Sequence, residues 1–406
     1  MKKRTLLLSL LILALFSGCD TTQNVGRELK LTEAQKRVAQ KSNSFGFDLL
    51  RQTLANEQQG TNVVLSPLSV SMAFGLAMNG AKGITRTEME NTLGLGGSSA
   101  DEINQTYREL LDQLPKLDDK VQLDLANAIW YDKQFGTTVK PDFLTTNQSY
   151  FNAKVTSLDF KNPTSVSTIN NWVNTVTNGK IAKILDSISD SEVMFLMNAL
   201  YFKGVWTNEF DEKATTNYPF TLASGSSKDV AMMKQSGQMS YAENDFVQVV
   251  DLPYGNGTYA MTVLLPKDGI TLNNIVTNLP TKWDGWQSSM RKQKIDLKLP
   301  RWKTSYDVTL NGILQAMGIK TAFVGGMADF TGIADARLSI SKVKHKTFIE
   351  VNEKGTEAAA VTSIGIEVTS MPTTPQMVVN RPFLFVIREK ATGTILFLGR
   401  IDDPTV

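Results

Sequence analysis

One histidine and one cysteine in 406 residues leave little from which to build a covalent catalyst. A Ser-His-Asp arrangement would need His345 as its base, and no Gly-x-Ser-x-Gly turn presents a nucleophile. Ser339 and Ser341 each precede a lysine by three residues, but that short pattern recurs by chance, falls in a strand-like stretch, and has no Lys-Thr-Gly beside it. Neither a phosphate-cradling glycine loop nor a Cys/His metal spacing is present. His345 lies on the apolar face of an alternating segment, where a lone imidazole serves structure. With 42 basic and 40 acidic side chains the formal charge is +2, which calls for no nucleic acid, and the sequence asks for no cofactor.

The cysteine has a different chemistry in view. Lys2, Lys3 and Arg4 precede an apolar run from Leu6 to Phe16, and the small residues Ser17 and Gly18 precede Cys19. This is the layout of a secretory signal peptide, whose apolar centre spans about 7–15 residues. A membrane-spanning helix needs about 20. Phe16-Ser17-Gly18-Cys19 resembles the bacterial lipobox, with Phe where Leu is more frequent. The resemblance implies cleavage before Cys19, lipidation of its sulfur, and an exported protein anchored to the cell envelope, at the periplasm or the cell surface, or later released. Residues 1–18 then form the signal peptide and 19–40 a polar tether. With no second cysteine, no intrachain disulfide forms, so the core alone must hold the fold.

Thr32 with Gln35 and Thr85 with Glu88 have the capping-box spacing that opens helices. Ser66-Pro67 supplies an N-cap and a first-turn proline for a helix so apolar that it must be buried. Residues 62–65, 123–131, 155–160, 259–265, 294–299, 338–351, 381–389 and 394–401 read as strands, and 167–177 and 308–317 as helices. The apolar run 193–202 reads as a central strand, and Asn198 within it demands hydrogen-bond partners. Helices dominate early and strands late, without a linker or repeat, so residues 41–406 read as one α+β domain.

Residues 343–351 alternate, with Val343, His345, Thr347, Ile349 and Val351 on one face. After Asn352-Glu353-Lys354-Gly355 the alternation restarts in the opposite phase, with Thr356, Ala358, Ala360, Thr362, Ile364, Ile366 and Val368 on the small or apolar face. Two strands of opposite phase around a glycine predict a hairpin. Small side chains anchor the second strand poorly, and Pro372 and Pro375 bar its continuation into a sheet interior. Pattern alone leaves open an ordinary edge strand leading into a surface loop.

Several ordered motifs then resemble the serpin family. Glu353-Lys354-Gly355-Thr356-Glu357-Ala358-Ala359-Ala360 is similar to the hinge of an inhibitory serpin's reactive-centre loop. Asn380-Arg381-Pro382-Phe383 resembles the signature after that loop, and Thr392-Gly393-Thr394 opens a stretch similar to the closing strand. Further matches fall within residues 62–83, 125–130, 171–185 and 198–206, so coverage runs from about residue 40 to the end.

The resemblance implies a serpin fold of three β-sheets with about nine α-helices and an exposed loop at about 353–379. It also implies a suicide-substrate inhibitor, in which a protease cuts the loop and the acyl-enzyme is trapped as 356–369 inserts into the main sheet. Counting from the hinge puts the reactive bond at Thr369-Ser370, with Val368-Thr369 the runner-up; Met371-Pro372 is a poor substrate. By the same resemblance Ser66, Ser69, Asn198 and His345 form a hydrogen-bonded shutter, and Arg301, Glu353 and Trp206 the breach where insertion starts. No Lys or Arg lies between Lys354 and Arg381, which points to elastase-like or subtilisin-like proteases as covalent partners of a monomer. The alternative is a non-inhibitory serpin serving as a binding or structural envelope lipoprotein. Bulky or charged hinge residues would mark it, and Thr356 and Ala358 to Ala360 are neither.

Overall fold

The computed structural model describes residues 28–356 and 374–406. The signal peptide, Cys19, and the loop residues Ala358, Ala359, Ala360, Val368, Thr369 and Ser370 lie outside them.

Thr32 starts α1 (Glu33–Asn56) through a reciprocal capping box with Gln35, satisfying two otherwise orphaned backbone amides. Ser66 caps α2 (Pro67–Met78), which is buried on every face except at Ala73. Its Gly75 admits the Phe151 ring, which a Cβ would meet at 2.8 Å. The other helices are α3 (Gly83–Thr92), α4 (Ala100–Gln113), α5 (Pro141–Phe151), α6 (Thr164–Val176), α7 (Leu272–Ser289) and α8 (Asn311–Met317).

The first strands are β1 (Val63–Leu65), β2 (Val121–Asp132), β3 (Lys154–Leu158), β4 (Met194–Val205) and β5 (Thr216–Thr221). Next come β6 (Ser227–Glu243), β7 (Val247–Tyr254), β8 (Tyr259–Pro266), β9 (Arg291–Pro300) and β10 (Trp302–Thr309). The chain closes with β11 (Lys344–Asn352), β12 (Gly355–Thr356), β13 (Gln376–Val378), β14 (Phe383–Glu389) and β15 (Ile395–Ile401).

These strands form two hydrogen-bonded sheets. Nine strands run in the order β1-β15-β14-β8-β7-β6-β9-β13, with β5 attached to β6. The 17-residue β6 pairs β5 and β9 along much of its length and β7 at its end, so two of the three expected sheets share it and merge into one network. The second sheet has six strands in the order β10-β11-β12-β4-β2-β3. The main core lies between the sheets and beneath α1 and α2; a second cluster, with Trp130, Ile169, Leu185 and Phe195, seats α6 on the outer side of β2 and β4.

Five readings change. The tether expected over 19–40 cannot extend to residue 40, because Leu29 and Leu31 are buried in the core and α1 begins at Glu33 with Val38 and Ala39 packed inward. Thr85 and Glu88 do not cap α3, whose N-cap is Lys82; Glu88 instead accepts from the backbone of Lys320 and Thr321, and Thr85 Oγ1 accepts from Asp329 N. The predicted strand at 338–351 starts only at Lys344, because Asn311 caps Val343 by side chain and holds the chain off the sheet. Val308 belongs to β10, and the helix after it begins at Asn311. Helices α4, α5 and α7 and strands β5, β6, β7, β10 and β13 were not located by the pattern, and the described residues hold eight α-helices.

Candidate functional site

The six-stranded sheet is divided. β12 pairs antiparallel with β11 on one side (Val351↔Thr356, Asn352↔Gly355) and with β4 on the other (Gly355↔Val205, Thr356↔Gly204). Strands β4 and β11 are therefore parallel to each other. Beyond the two residues of β12, no pairing joins β4 to β11 among the described residues. A cavity of about 460 Å³ occupies the interval, lined by both strands, by α2 and by the stretch following α6.

At its upper end, β11 turns back through Glu353 and Lys354 alone. Gly355 has φ +149°, and a Cβ there would lie 2.0 Å from the Gly204 carbonyl oxygen, so only glycine fits. Trp206 clasps the turn: its backbone amide donates to the Lys354 carbonyl (2.7 Å) and its indole N–H to the Asn352 carbonyl (2.9 Å). The indole stacks on Tyr254 at 4.4 Å between centroids. The Tyr254 hydroxyl lies 2.7 Å from Thr356 Oγ1, and both groups are buried. The Glu353 carboxylate is buried too, accepting from the Thr215 hydroxyl (2.8 Å), with Arg301 Nη1 at 3.6 Å. Since 54% of the Arg301 side chain is exposed, water screens much of that attraction.

At mid-height, His345 Nε2 accepts the Ser66 backbone N–H at 3.0 Å, which places the proton of the neutral ring on Nδ1. Burial pushes the imidazole down to about 4, against a weaker opposing pull from Asp307. Ser66 Oγ accepts from Ser69 N. One strand rung further, Thr347 donates to the Val64 carbonyl (2.7 Å), so β11 is fastened to the β1–α2 junction at two points. The expected four-residue cluster is open on one side. Asn198 faces it from β4 and donates instead to Asn127 Oδ1 (2.9 Å) and Met72 Sδ (3.6 Å); its own Oδ1 is buried without a partner among the described residues. The physical reason is strand register, since Asn127 and Asn198 are directly paired across β2 and β4. Ser341, read as one half of a Ser-x-x-Lys pattern, donates to Glu192 while Lys344 pairs with Asp307.

The arrangement is a slot for a strand. Two parallel strands with facing, unpaired edges accept between them a strand antiparallel to both, and β12 itself has that direction. Of the residues singled out from sequence, Glu353, Gly355, Thr356, Trp206 and Arg301 meet at the slot's upper end, and Ser66, Ser69 and His345 meet at its middle, with Asn198 on the opposite wall. Tyr254, Gly204, Thr215 and Asn127 were missed. Only Asn127 left a signal, a polar residue in a buried strand run.

A family model described as Serpin (serine protease inhibitor) matches residues 40–404. The human leukocyte elastase inhibitor is 33% identical over 383 residues, covering 91% of this chain and 100% of the relative. Iripin-8 of Ixodes ricinus is 34% identical over 390 residues, covering 92% and 95%. Among solved structures, the thermophilic serpin tengpin in its native state superimposes with TM-score 0.83 at 30% identity, covering 93% of this chain and 96% of that one. Its latent state gives TM-score 0.78 at 30% identity, covering 92% and 99%.

Proposed function

This chain belongs to the serpin family, and we propose that it inhibits serine proteases by inserting its own cut loop into the slot between β4 and β11. The observation that carries the reading is β12, a strand of two residues already seated between both edges. Continuing its register would set Ala358 between Ile349 and Phe202, Thr362 between His345 and Asn198, and Ile364 between Val343 and Leu196. All three belong to the small or apolar face. Burying Ile364, Ile366 and Val368 favours insertion by roughly 1.5–3 kcal/mol each, and each new strand hydrogen bond adds about 0.5–1.5 kcal/mol.

In the chemical step the protease serine attacks the carbonyl carbon of Thr369. An ester forms, the Thr369–Ser370 peptide bond breaks, and the proton passes to the nitrogen of Ser370, which becomes a new amino terminus. Insertion then carries the esterified protease away before water can hydrolyse the ester. Val368-Thr369 is the second choice of bond. The absence of Lys and Arg between Lys354 and Arg381 favours elastase-like or subtilisin-like targets.

Incubation with an elastase should yield an adduct stable in SDS and, in equal amount, a C-terminal fragment starting at Ser370. Cleavage without adduct would make the chain a substrate and end the inhibitor reading. Replacing Thr356 with Arg sets a charge against Tyr254 in the buried hinge and should turn inhibitor into substrate, raising the stoichiometry of inhibition more than about tenfold.

The N-terminal motif supports a lipid on Cys19 and residence in the cell envelope. Detergent-phase partitioning that Cys19→Ser leaves unaltered would remove this part of the proposal.

A further inference from the structure

Tyr254 belongs to the nine-stranded sheet, yet it makes a polar contact with the hinge of the other. Its ring has little freedom. Trp206 stacks on one side at 4.4 Å, Phe202 meets it edge-on at 5.0 Å, and a Cβ on Gly204 would come within 2.9 Å of its Cδ1. Its hydroxyl has one hydrogen-bond partner among the described residues, Thr356 Oγ1 at 2.7 Å. Burial raises the phenol far above its ordinary range, so the hydroxyl is protonated at neutral pH.

We propose that the Tyr254 hydroxyl is a register pin, a positioning group that holds Thr356 at the first rung so that insertion starts in one alignment only. The proposal rests on the insertion reading above. A strand entering a slot can slip, and main-chain hydrogen bonds repeat too regularly to forbid it. Slippage by one residue exchanges the two faces, turning the Glu357 carboxylate into the interior. Slippage by two brings Ala358 to Tyr254 and leaves a buried hydroxyl unpaired. Thr356 is the only hydroxyl on the inward face before Thr362, so the Tyr254–Thr356 contact excludes both errors. Gly355, whose place no Cβ can take, opposes the same slips by shape, and the Tyr254–Thr356 contact adds the selection of a hydroxyl at the next position.

A double-mutant cycle with Tyr254→Phe and Thr356→Val, two near-isosteric changes, tests the pin by two readouts. Lys354 is the last basic residue before Arg381, so trypsin cleavage after Lys354 reports release of β12. Each single variant should be nicked there about fivefold faster than the parent, and the double variant no faster than either single one. The stoichiometry of inhibition against an elastase should rise about threefold in each, with the association rate constant unchanged within about a factor of two, because the pin acts after the protease has bound. Unaltered nicking in the singles, or a double variant equal to their product, would overturn the proposal. If Tyr254→Phe fails to fold, Thr356→Val alone decides by the same nicking rate. If the parent forms no covalent adduct, the inhibitor reading fails while the trypsin cycle still judges the contact.

Discussion

The two sheets spend their backbone hydrogen bonds differently. In the nine-stranded sheet β7, β8, β14 and β15 are almost wholly buried, and each pairs on both sides. In the six-stranded sheet β4 and β11 each pair on one side for most of their length, with Asn198 holding an unpartnered buried oxygen and His345 a buried ring between them. Strand lengths are comparable, 7 or 8 residues in β7, β8, β14 and β15 against 9 in β11 and 12 in β4. Hydrophobic patterning thus supplies the place of a strand but not its pairing, and one sheet is complete while the other holds room for a further member.

The largest effect should come from filling that room. Cutting the loop with an elastase under conditions of turnover, then heating, should raise the unfolding midpoint by about 20 °C or more, since roughly a dozen residues gain burial and strand bonds. Amide exchange should slow in β4 and β11 and hardly change in β8 and β14; equal slowing in both sheets would erase the contrast. Next, Leu264→Ala at a fully buried site of β8, paired to Leu384 and Val249, should cost about 2–5 kcal/mol in the uncut chain. A loss below about 1 kcal/mol would mean that the complete sheet is not the rigid partner.

Acid provides a third test. The His345 imidazole titrates at about 4 when folded, against its ordinary value of 6.5. Between the two the unfolded chain holds the extra proton, so stability is flat above about 6.5 and falls as pH drops towards 4, by about 3 kcal/mol in total. His345→Gln should flatten that window in denaturant titrations, and a fall of the same depth in the variant would place its origin elsewhere. Last, Arg301→Ala should alter stability by no more than about 1 kcal/mol, because the guanidinium is half in water. A larger cost would show that the buried Glu353 carboxylate leans on it more than its 3.6 Å separation suggests.

What the sequence made legible follows the range of the interactions. The caps at Thr32 and Ser66 are local, and so is the hairpin: the phase reversal at residues 352–355 appears as the β11–β12 turn, on the residues where the alternation broke. Thr85 and Glu88 misled because a spacing of three carries no news of Thr321, more than 230 residues away, whose amide takes the carboxylate. Asn198 announced a need for partners, but naming Asn127 requires the β2–β4 register. Tyr254 gave no signal at all, since a tyrosine ending a buried strand is ordinary until the fold brings Thr356 to its hydroxyl.

One consequence of the strand order concerns what becomes of the molecule after the cut. The stretch from Ser370 to the carboxyl terminus carries β13, β14 and β15, and β14 and β15 lie inside the nine-stranded sheet between β8 and β1. Severing the loop should thus divide the covalent chain without dividing the particle. The smaller piece should stay in place as a non-covalent subunit, unseen by gel filtration and released by a denaturant. On the proposed mechanism, rejoining the two ends would be barred by distance, because insertion would carry one end the length of the slot while the other stays with β13.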